Sequence, residues 1–196
     1  MNNTYSNITG LFFGSFNPIH IGHMALANYM IEYSSMKELW FIVSPQSPFK
    51  TNTSMLDNYD RLELVHRAIG DDERFKVSDI EFHMPVPSYT IDSLTYLSEK
   101  YPKKHFALII GADNLFHFHK WKNYKLLQEK YSIFVYPRRG FPKEQCPQFP
   151  NLHWIEAPVI EISSSFIRKS IAHKKDMRYF LPHKVWEYID EMNFYR

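Results

Sequence analysis

Six short apolar runs alternate along the chain with segments whose apolar residues recur at helical spacing. The runs have the length and composition of buried strands, at residues 8–13, 38–43, 75–80, 105–110, 131–136 and 152–157. The helix-like segments lie between and after them, at residues 22–33, 57–69, 90–100, 119–129, 163–172 and 182–192. Strands that alternate with helices favour parallel βαβ units. The alternation therefore predicts an α/β fold with a doubly wound parallel sheet.

The bulk properties of the chain narrow its class. Its 196 residues suffice for one domain over 1–196, with a small helical C-terminal cap, and an apolar content of 44% argues against disorder. A net charge of +2 argues against a dedicated nucleic-acid partner, and no apolar run is long enough to span a membrane. The single cysteine, Cys146, excludes an internal disulfide, and the polar N-terminus does not resemble a signal peptide. We therefore expect a cytoplasmic protein, and we make no prediction of its oligomeric state.

The stretch GSFNPIHIGH, residues 14–23, joins the first predicted strand to the first predicted helix. Open α/β sheets bind ligands at this kind of junction, and the positive end of the helix favours a polyphosphate. Glycine lets backbone amides approach a phosphate, and two imidazoles three residues apart share one face. The candidate phosphate ligands are the backbone of Gly14, Ser15 and Phe16 and the side chains of His20 and His23. Gly22 leaves space for a flat ring against the helix. The alternative is a glycine-rich turn with two incidental histidines.

A second stretch, EISSSFIRKSI at residues 161–171, predicts another anion site at a helix start. Ser163 is a good N-cap, and the amides of Ser164 and Ser165 would converge with Arg168 on one anion. Arginine suits phosphate because its guanidinium is forked and permanently charged. The alternative is an ordinary capped helix with a surface arginine.

Five isolated positions complete the candidate set. Gly111 follows a strand, where a sugar or base could lie close, and Asp113 reads as an acceptor for ribose hydroxyls or else as a helix N-cap. Trp121 lies in a stretch that is polar for a core residue, although an amphipathic helix could also carry it. Lys50 and Arg138 are candidate phosphate ligands, and each could instead be a solvated cation. The remaining histidines show no metal-ligand spacing, so we predict no resident metal.

The first two motifs resemble those of a known superfamily. GSFNPIHIGH is similar to the G-x-F-D-P-x-H-x-G-H signature of the HxGH nucleotidyltransferases, with Asn17 where the family usually has Asp. The later stretch is similar to their I-S-S-T-x-I-R motif, with Ser165 in place of Thr. Asn17 keeps hydrogen-bonding capacity but loses the charge.

Four further stretches resemble the bacterial nicotinate-nucleotide adenylyltransferases within that superfamily, in the same order along the chain. They are SPQSPFK (44–50, with Phe49 where the family has His), PSYTIDSL (87–94), IIGADNLFHFHKW (109–121) and VYPRRG (135–140). The resemblance covers nearly the whole chain and implies a Rossmann-like doubly wound parallel sheet. It also implies the reaction of ATP with nicotinate mononucleotide to give deamido-NAD and pyrophosphate.

The resemblance assigns roles by position. It implies catalytic roles for His20, His23, Lys50 and Arg168. It implies ATP binding by Gly14, Ser15, Phe16, His20, Gly22, His23, Gly111, Asp113, Arg138, Ser163, Ser164 and Arg168. It implies pyridine-nucleotide binding by Ser88, Tyr89, Thr90, Trp121 and Lys122. Mg²⁺ is expected to arrive bound to ATP, so few protein ligands are needed.

Three alternatives remain open at this stage. Another HxGH adenylyltransferase, acting on pantetheine phosphate or nicotinamide mononucleotide, would share the first motif. A class I aminoacyl-tRNA synthetase would share HIGH, but the chain shows no K-M-S-K-S-like loop and has no room for a tRNA-binding domain. A non-catalytic nucleotide sensor would have no need to retain both histidines and Arg168.

Overall fold

A computed structural model describes residues 7–45 and 55–196 as a six-stranded, all-parallel sheet in the order β3-β2-β1-β4-β5-β6. The strands are β1 Ile8–Gly14, β2 Met36–Val43, β3 Phe75–Ser78, β4 His105–Gly111, β5 Ser132–Tyr136 and β6 Leu152–Trp154. The α-helices are α1 Ile21–Glu32, α2 Asn58–Ile69, α3 Thr90–Lys100, α4 Ala112–Phe116, α5 Tyr124–Lys130, α6 Ser164–Ala172 and α7 His183–Glu191. This confirms the predicted α/β class and the Rossmann-like strand order.

Helices cover both faces of the sheet, as the doubly wound prediction requires. On one face, Phe12 and Phe41 pack with residues of α1, α2, α6 and α7. On the other, Leu11 and Ile42 pack with residues of α3, α4 and α5. Alternate strand residues therefore enter different cores, because successive side chains of a strand point to opposite faces. The predicted C-terminal helix α7 packs against α2.

The predicted caps of α2 and α6 and the predicted end of α2 are confirmed. Asp57 caps α2 by accepting from the Tyr59 N–H at 2.9 Å, and α2 ends at Gly70, which has a φ of 61°. Ser163 caps α6, since its hydroxyl accepts from the Phe166 N–H at 3.2 Å. Each side chain satisfies a backbone donor that the first helical turn leaves unpaired.

Three predicted elements were wrong in their bounds. The predicted helix 119–129 begins only at Tyr124, because Asn123 adopts a left-handed conformation with a φ of 52° that a right-handed helix cannot include. The third strand ends at Ser78, and residues 80–83 form a 3₁₀ turn. The sixth strand ends at Trp154, because its neighbour β5 ends at Tyr136, just before a proline. The short helix α4 was not predicted, since five residues are too few to show a helical period.

A buried arginine ties the loops that follow β1 and β2. Arg61 on α2 is 0% exposed, and the acceptors of its guanidinium in the described part of the chain are neutral oxygens. The acceptors are the carbonyls of Leu56 (3.1 Å), Ser15 (2.6 Å), Ser44 (2.8 Å) and Pro45 (3.3 Å) and the Asn58 amide oxygen (2.6 Å). The Arg61 side chain thus pairs backbone carbonyls at the carboxyl edge of the sheet that no secondary structure pairs.

We predict that Arg61→Met lowers the free energy of unfolding by about 3 kcal/mol or more, because it leaves several buried acceptors without a donor. Chemical denaturation of both proteins measures this difference. The control Arg178→Met removes an exposed guanidinium that pairs with Asp176 on the surface, and it should leave stability close to that of the unmodified chain. Equal stability of Arg61→Met and the control would contradict the role assigned to Arg61.

Candidate active site

Two cavities open at the carboxyl edge of the sheet, where β1 and β4 lie side by side. The chain leaves β1 toward one face and β4 toward the other, which is the switch point where doubly wound sheets bind ligands. The first cavity, which we call the nucleotide cavity, has a volume of about 330 Å³, and the second, the aromatic cavity, about 370 Å³. Both are lined by Phe12, Phe13, Gly14, Ser15, Asp113, Asn114 and Tyr136. Ligands in the two cavities would therefore meet along one shared wall.

The loop after β1 is shaped by Phe16 packing back on Gly14. Phe16 has a φ of 44°, and a Cβ atom added at Gly14 would lie 2.8 Å from its ring. The Phe16 ring is 2% exposed and packs edge-on against Phe12 and Phe41. The Phe16 side chain therefore belongs to the core, and what Phe16 can offer a nucleotide is backbone. Gly14 is required here because any side chain would displace the Phe16 ring.

The two histidines of the first motif stack on each other at the start of α1. Their ring centroids are 3.7 Å apart with an interplanar angle of 23°. The His20 backbone N–H donates to His23 Nδ1 at 3.2 Å, so a neutral His23 ring carries its proton on Nε2. A Cβ atom at Gly22 would lie 3.0 Å from the His20 ring, so the flat ring that the structure brings against Gly22 is that of His20.

Both imidazoles are neutral near pH 7. Burial, with a smaller contribution from the nearby Arg138 guanidinium, lowers the pKa of His20 to about 4. The pKa of His23 is held well below its usual range by burial, then by His20 and Arg138. Two stacked rings beside a guanidinium cannot both carry charge at low cost. The pair therefore offers phosphate hydrogen-bond donors rather than cations.

The start of α6 is bonded directly to the loop after β1. Arg168 Nη1 donates to the Asn17 carbonyl at 2.7 Å, and the Ser164 hydroxyl donates to the Pro18 carbonyl at 2.8 Å. Ser163, Ser164 and Arg168 all line the nucleotide cavity together with the two histidines. The structure therefore brings the two predicted phosphate motifs together, with some of their donors already used in holding the loop.

Across the nucleotide cavity, Gly111, Asp113 and Arg138 form one cluster with Tyr136. A Cβ atom at Gly111 would lie 2.3 Å from Asp113 Oδ1, so the Asp113 carboxylate occupies the space that this glycine leaves. That oxygen is buried, lies 3.8 Å from Arg138 Nε and accepts no hydrogen bond from the described part of the chain. The helix that follows is capped by Gly111, so the N-cap alternative for Asp113 is wrong. The Asp113 carboxylate is thus an acceptor suited to hydroxyl groups.

The aromatic cavity holds the residues that the resemblance assigns to the pyridine nucleotide. Ser88, Tyr89, Thr90, Trp121 and Lys122 all line it. Trp121 follows a 3₁₀ turn and lies outside any helix, so the amphipathic-helix alternative is wrong. Its ring packs at 5.2 Å on Phe118. Thr90 begins α3, whose first amides have no partner within the helix.

An ion pair borders the aromatic cavity. Lys122 Nζ lies 2.8 Å from the Asp92 carboxylate and 4.6 Å from the centroid of the Tyr89 ring. Lys122 thus connects the segment that carries Trp121 to the first turn of α3. Its charge is already paired in this conformation.

One candidate lies outside the described residues, and the sequence missed others. Lys50, together with Phe49, falls in the undescribed segment 46–54. The missed residues are Tyr136, whose hydroxyl accepts from Arg138 Nη2 at 3.2 Å, and Glu81, which accepts from the Ser93 hydroxyl at 2.7 Å in the wall of the aromatic cavity. Tyr136 is the last residue of β5, as Gly14 is of β1 and Gly111 is of β4, which is a usable signal. Glu81 has no such signal, since it lies in an unpredicted turn.

The described residues contain neither a cluster of metal ligands nor a membrane-spanning helix. Between residues 7–45 and 55–196, no group of three or more His, Cys, Asp or Glu side chains is placed to hold a metal ion. In the same ranges, no helix is long and apolar enough to cross a membrane.

Comparison with known proteins gives consistent findings. A family model described as cytidylyltransferase-like matches residues 11–170. A protein of Flavobacterium johnsoniae, named a probable nicotinate-nucleotide adenylyltransferase, is 47% identical over 189 residues, 95% of this chain and 98% of that protein. A protein of the same name from Porphyromonas gingivalis is 51% identical over 177 residues, 89% of each chain.

Among solved structures, the Plasmodium falciparum nicotinic acid mononucleotide adenylyltransferase in complex with NaAD superposes with a TM-score of 0.80. The superposition covers 97% of this chain and 98% of that one at 21% identity, so it supports the fold.

The neutral histidine pair predicts a specific pH dependence of stability. Since the pKa of an unfolded imidazole is about 6.5, the unfolded chain binds protons below that pH that the folded chain does not. The stabilisation is complete above about pH 6.5 and is lost as the pH falls toward 4, the pKa of His20. His20 alone then costs about 2 kcal/mol at pH 5. Tm measured between pH 7.5 and 5 should therefore fall less for the double variant His20→Gln/His23→Gln than for the unmodified chain.

The control for this experiment is His183→Gln, whose side chain is 84% exposed and which should keep the full pH dependence. The pKa of Glu38 is lowered to about 2, mainly by hydrogen bonds from Lys104 and Lys76 that outweigh its burial, so its contribution is lost only at more acidic pH. The same decline in Tm for the double variant and the unmodified chain would show that the pair is charged in the folded state.

Proposed function

The chain belongs to the nicotinate-nucleotide adenylyltransferases of the cytidylyltransferase-like family, and from this membership we propose how its site works. The enzyme transfers the adenylyl group of ATP to nicotinate mononucleotide, giving deamido-NAD and pyrophosphate, a step of NAD biosynthesis. The observation that carries the proposal is the pair of cavities that share one wall at the switch point. A reaction that joins two nucleotides needs two binding sites whose reacting phosphates meet.

The chemistry at the shared wall needs no protein base. The attacking group is the mononucleotide phosphate, which is mostly a dianion at neutral pH because its second pKa is near 6. The site has to hold this phosphate in line with the α-phosphorus of ATP and to stabilise the negative charge that spreads to the leaving pyrophosphate. Neutral donors aimed at phosphate oxygens perform the second task without repelling the Mg²⁺ that accompanies ATP.

ATP occupies the nucleotide cavity in this proposal. His23 donates from Nε2, His20 lies stacked beside it, and the start of α6 presents its amides with Arg168. The backbone of Gly14, Ser15 and Phe16 faces the reacting phosphate, while Gly22 accommodates the His20 ring. Lys50 completes this set only by resemblance.

On the opposite side of the nucleotide cavity, Asp113 accepts from the ribose hydroxyls of ATP. Gly111 leaves the space that the Asp113 carboxylate occupies. Arg138 balances the Asp113 charge from 3.8 Å.

Nicotinate mononucleotide occupies the aromatic cavity. Its pyridinium ring stacks on Trp121, since an indole face is the best aromatic partner for a cation. Its carboxylate accepts from amides at the start of α3 near Thr90, where the helix end favours an anion. Ser88 and Tyr89 line the cavity beside Thr90, and Lys122 is held by Asp92. A carboxamide would gain less from the same donors, because charged hydrogen bonds are stronger.

The remaining assignments concern the metal that accompanies ATP, the cellular location of the enzyme and its partners. ATP enters as its Mg²⁺ complex, with the metal held by phosphate oxygens and water. Asp113 is the one carboxylate among the described lining residues of the nucleotide cavity, which fits a metal carried by the nucleotide. We place the enzyme in the cytoplasm and assign it small-molecule partners, without nucleic acid or membrane.

The deciding experiment measures pyrophosphate release from ATP with nicotinate mononucleotide, nicotinamide mononucleotide or pantetheine phosphate. We expect the highest kcat/KM with nicotinate mononucleotide. A higher kcat/KM with pantetheine phosphate would identify the chain as a pantetheine-phosphate adenylyltransferase. Binding of ATP without release of pyrophosphate would indicate a nucleotide sensor.

The histidine assignment predicts that His23→Ala lowers kcat by about 10²–10³, the usual cost of losing one donor to transition-state charge. Steady-state kinetics with both substrates measures this, and a melting curve checks that the variant folds. His183→Ala, which removes a surface imidazole, serves as the matched control. A kcat for His23→Ala close to that of the control would reduce the motif to a structural role.

The stacking assignment predicts that Trp121→Ala raises the KM for the pyridine nucleotide and leaves the KM for ATP nearly unchanged. A cation over an indole contributes on the order of 0.5–2 kcal/mol, and Trp121→Phe should retain part of it because a flat face remains. If Trp121→Ala changed only the KM for ATP, the stacking assignment would be wrong.

A further inference from the structure

Tyr195, near the C-terminal end of the chain, reaches the loop of the first motif. Its hydroxyl donates to Asn17 Oδ1 at 2.7 Å. Asn17 is 2% exposed, and its backbone carbonyl accepts from Arg168 Nη1 at 2.7 Å. Oδ1 also accepts from the Leu56 N–H at 3.3 Å. Asn17 is thus the point where the loop after β1, helix α6 and the C-terminal segment are bonded together.

The chain adopts uncommon backbone conformations to bring Tyr195 there. Helix α7 ends in a Schellman motif, with the Asn193 N–H bonded to the Asp190 carbonyl and the Phe194 N–H to the Ile189 carbonyl. Asn193 has a φ of 54°, which asparagine tolerates. Tyr195 has a φ of 66°, which is rare for a bulky side chain and persists only where the surroundings impose it. Tyr195, the residue with this strained backbone, is the one that bonds to Asn17 in the loop after β1.

The surroundings keep the Tyr195 phenol protonated. Burial raises its pKa, and the Arg168 and Arg61 guanidiniums oppose that rise only in part. Its hydroxyl is therefore a donor, and its partner must be an acceptor. The Asn17 carboxamide oxygen is such an acceptor.

We propose that Tyr195 is a positioning residue of the ATP site, acting through Asn17. By fixing the Asn17 side chain it fixes the backbone of residues 17 and 18, whose carbonyls hold Arg168 and the Ser164 hydroxyl. Loss of the Tyr195 hydroxyl would let this backbone move and misalign the start of α6 against the two histidines. The inference rests on the proposed function, since it takes the nucleotide cavity to be the ATP site.

The test combines Tyr195→Phe with three variants. Tyr195→Phe should lower kcat/KM for ATP by about tenfold, the cost of one well-made hydrogen bond, and leave the KM for nicotinate mononucleotide unchanged. Asn17→Asp keeps an acceptor, so adding Tyr195→Phe to it should still lower kcat/KM for ATP by about tenfold relative to Asn17→Asp alone. Asn17→Ala removes the acceptor, so adding Tyr195→Phe to it should cost nothing further. Tyr179→Phe, at a residue that is 86% exposed, is the control and should match the unmodified chain.

Other results would overturn the inference. A lower Tm for Tyr195→Phe with an unchanged kcat/KM for ATP would make the contact purely structural. An equal loss on adding Tyr195→Phe to Asn17→Ala would show that Tyr195 does not act through Asn17. If the unmodified chain releases no pyrophosphate, the proposed function fails, and the Kd for ATP, measured by calorimetry, tests the positioning role instead. Tenfold weaker ATP binding by Tyr195→Phe, about the cost of one hydrogen bond, would uphold that role. Equal Kd values for Tyr195→Phe and the unmodified chain would refute it.

Discussion

The geometry of the site depends on one buried guanidinium. Arg61 donates to carbonyls of Ser15 and Ser44, the residues that follow the ends of β1 and β2, and to Leu56 and Pro45 on the connection between β2 and α2. A parallel sheet leaves such carbonyls at its edge, where a binding site needs open space rather than packing. A guanidinium has five N–H donors, so one arginine can pair several of these carbonyls at once. The loop is therefore held in place without a side chain that fills the cavity. The charge costs solvation, but neutral carbonyl oxygens around it recover much of that cost.

The histidine pair follows from the same constraint. Because the loop is fixed, the His20 N–H meets His23 Nδ1 and the two rings stack at the start of α1. Stacking and burial hold both rings neutral, and the hydrogen bond leaves the proton of His23 on Nε2. A flexible loop would leave both the tautomer and the charge undetermined. The tautomer and charge of the pair are therefore a property of the backbone around the histidines as much as of the imidazoles.

The fold was predictable because its signals are local. The strand period, the caps Asp57 and Ser163 and the stop at Gly70 are each encoded within a few residues. What failed depended on backbone conformation and side-chain direction, which the hydrophobic period does not encode. Asn123 interrupts a good helical pattern with a left-handed turn. The sequence indicated that Gly14 and Gly111 leave space for a ligand, whereas in the structure the Phe16 ring and the Asp113 carboxylate occupy the space beside them. The burial of Arg61 was not predicted, because nothing in the neighbouring sequence distinguishes it from a helix-surface arginine.

The shared wall has a consequence for turnover. In the proposed reaction each substrate contacts one cavity, whereas the dinucleotide product spans both and so combines the contacts of two ligands in one molecule. Linking two ligands raises affinity by making the second binding event intramolecular, and the proposed reaction creates such a linkage. We therefore expect the product to bind more tightly than either substrate and to leave by dissociation of one half while the other remains bound. For a site that joins two nucleotides across Tyr136 and Asp113, we expect release of the product to limit the rate of turnover.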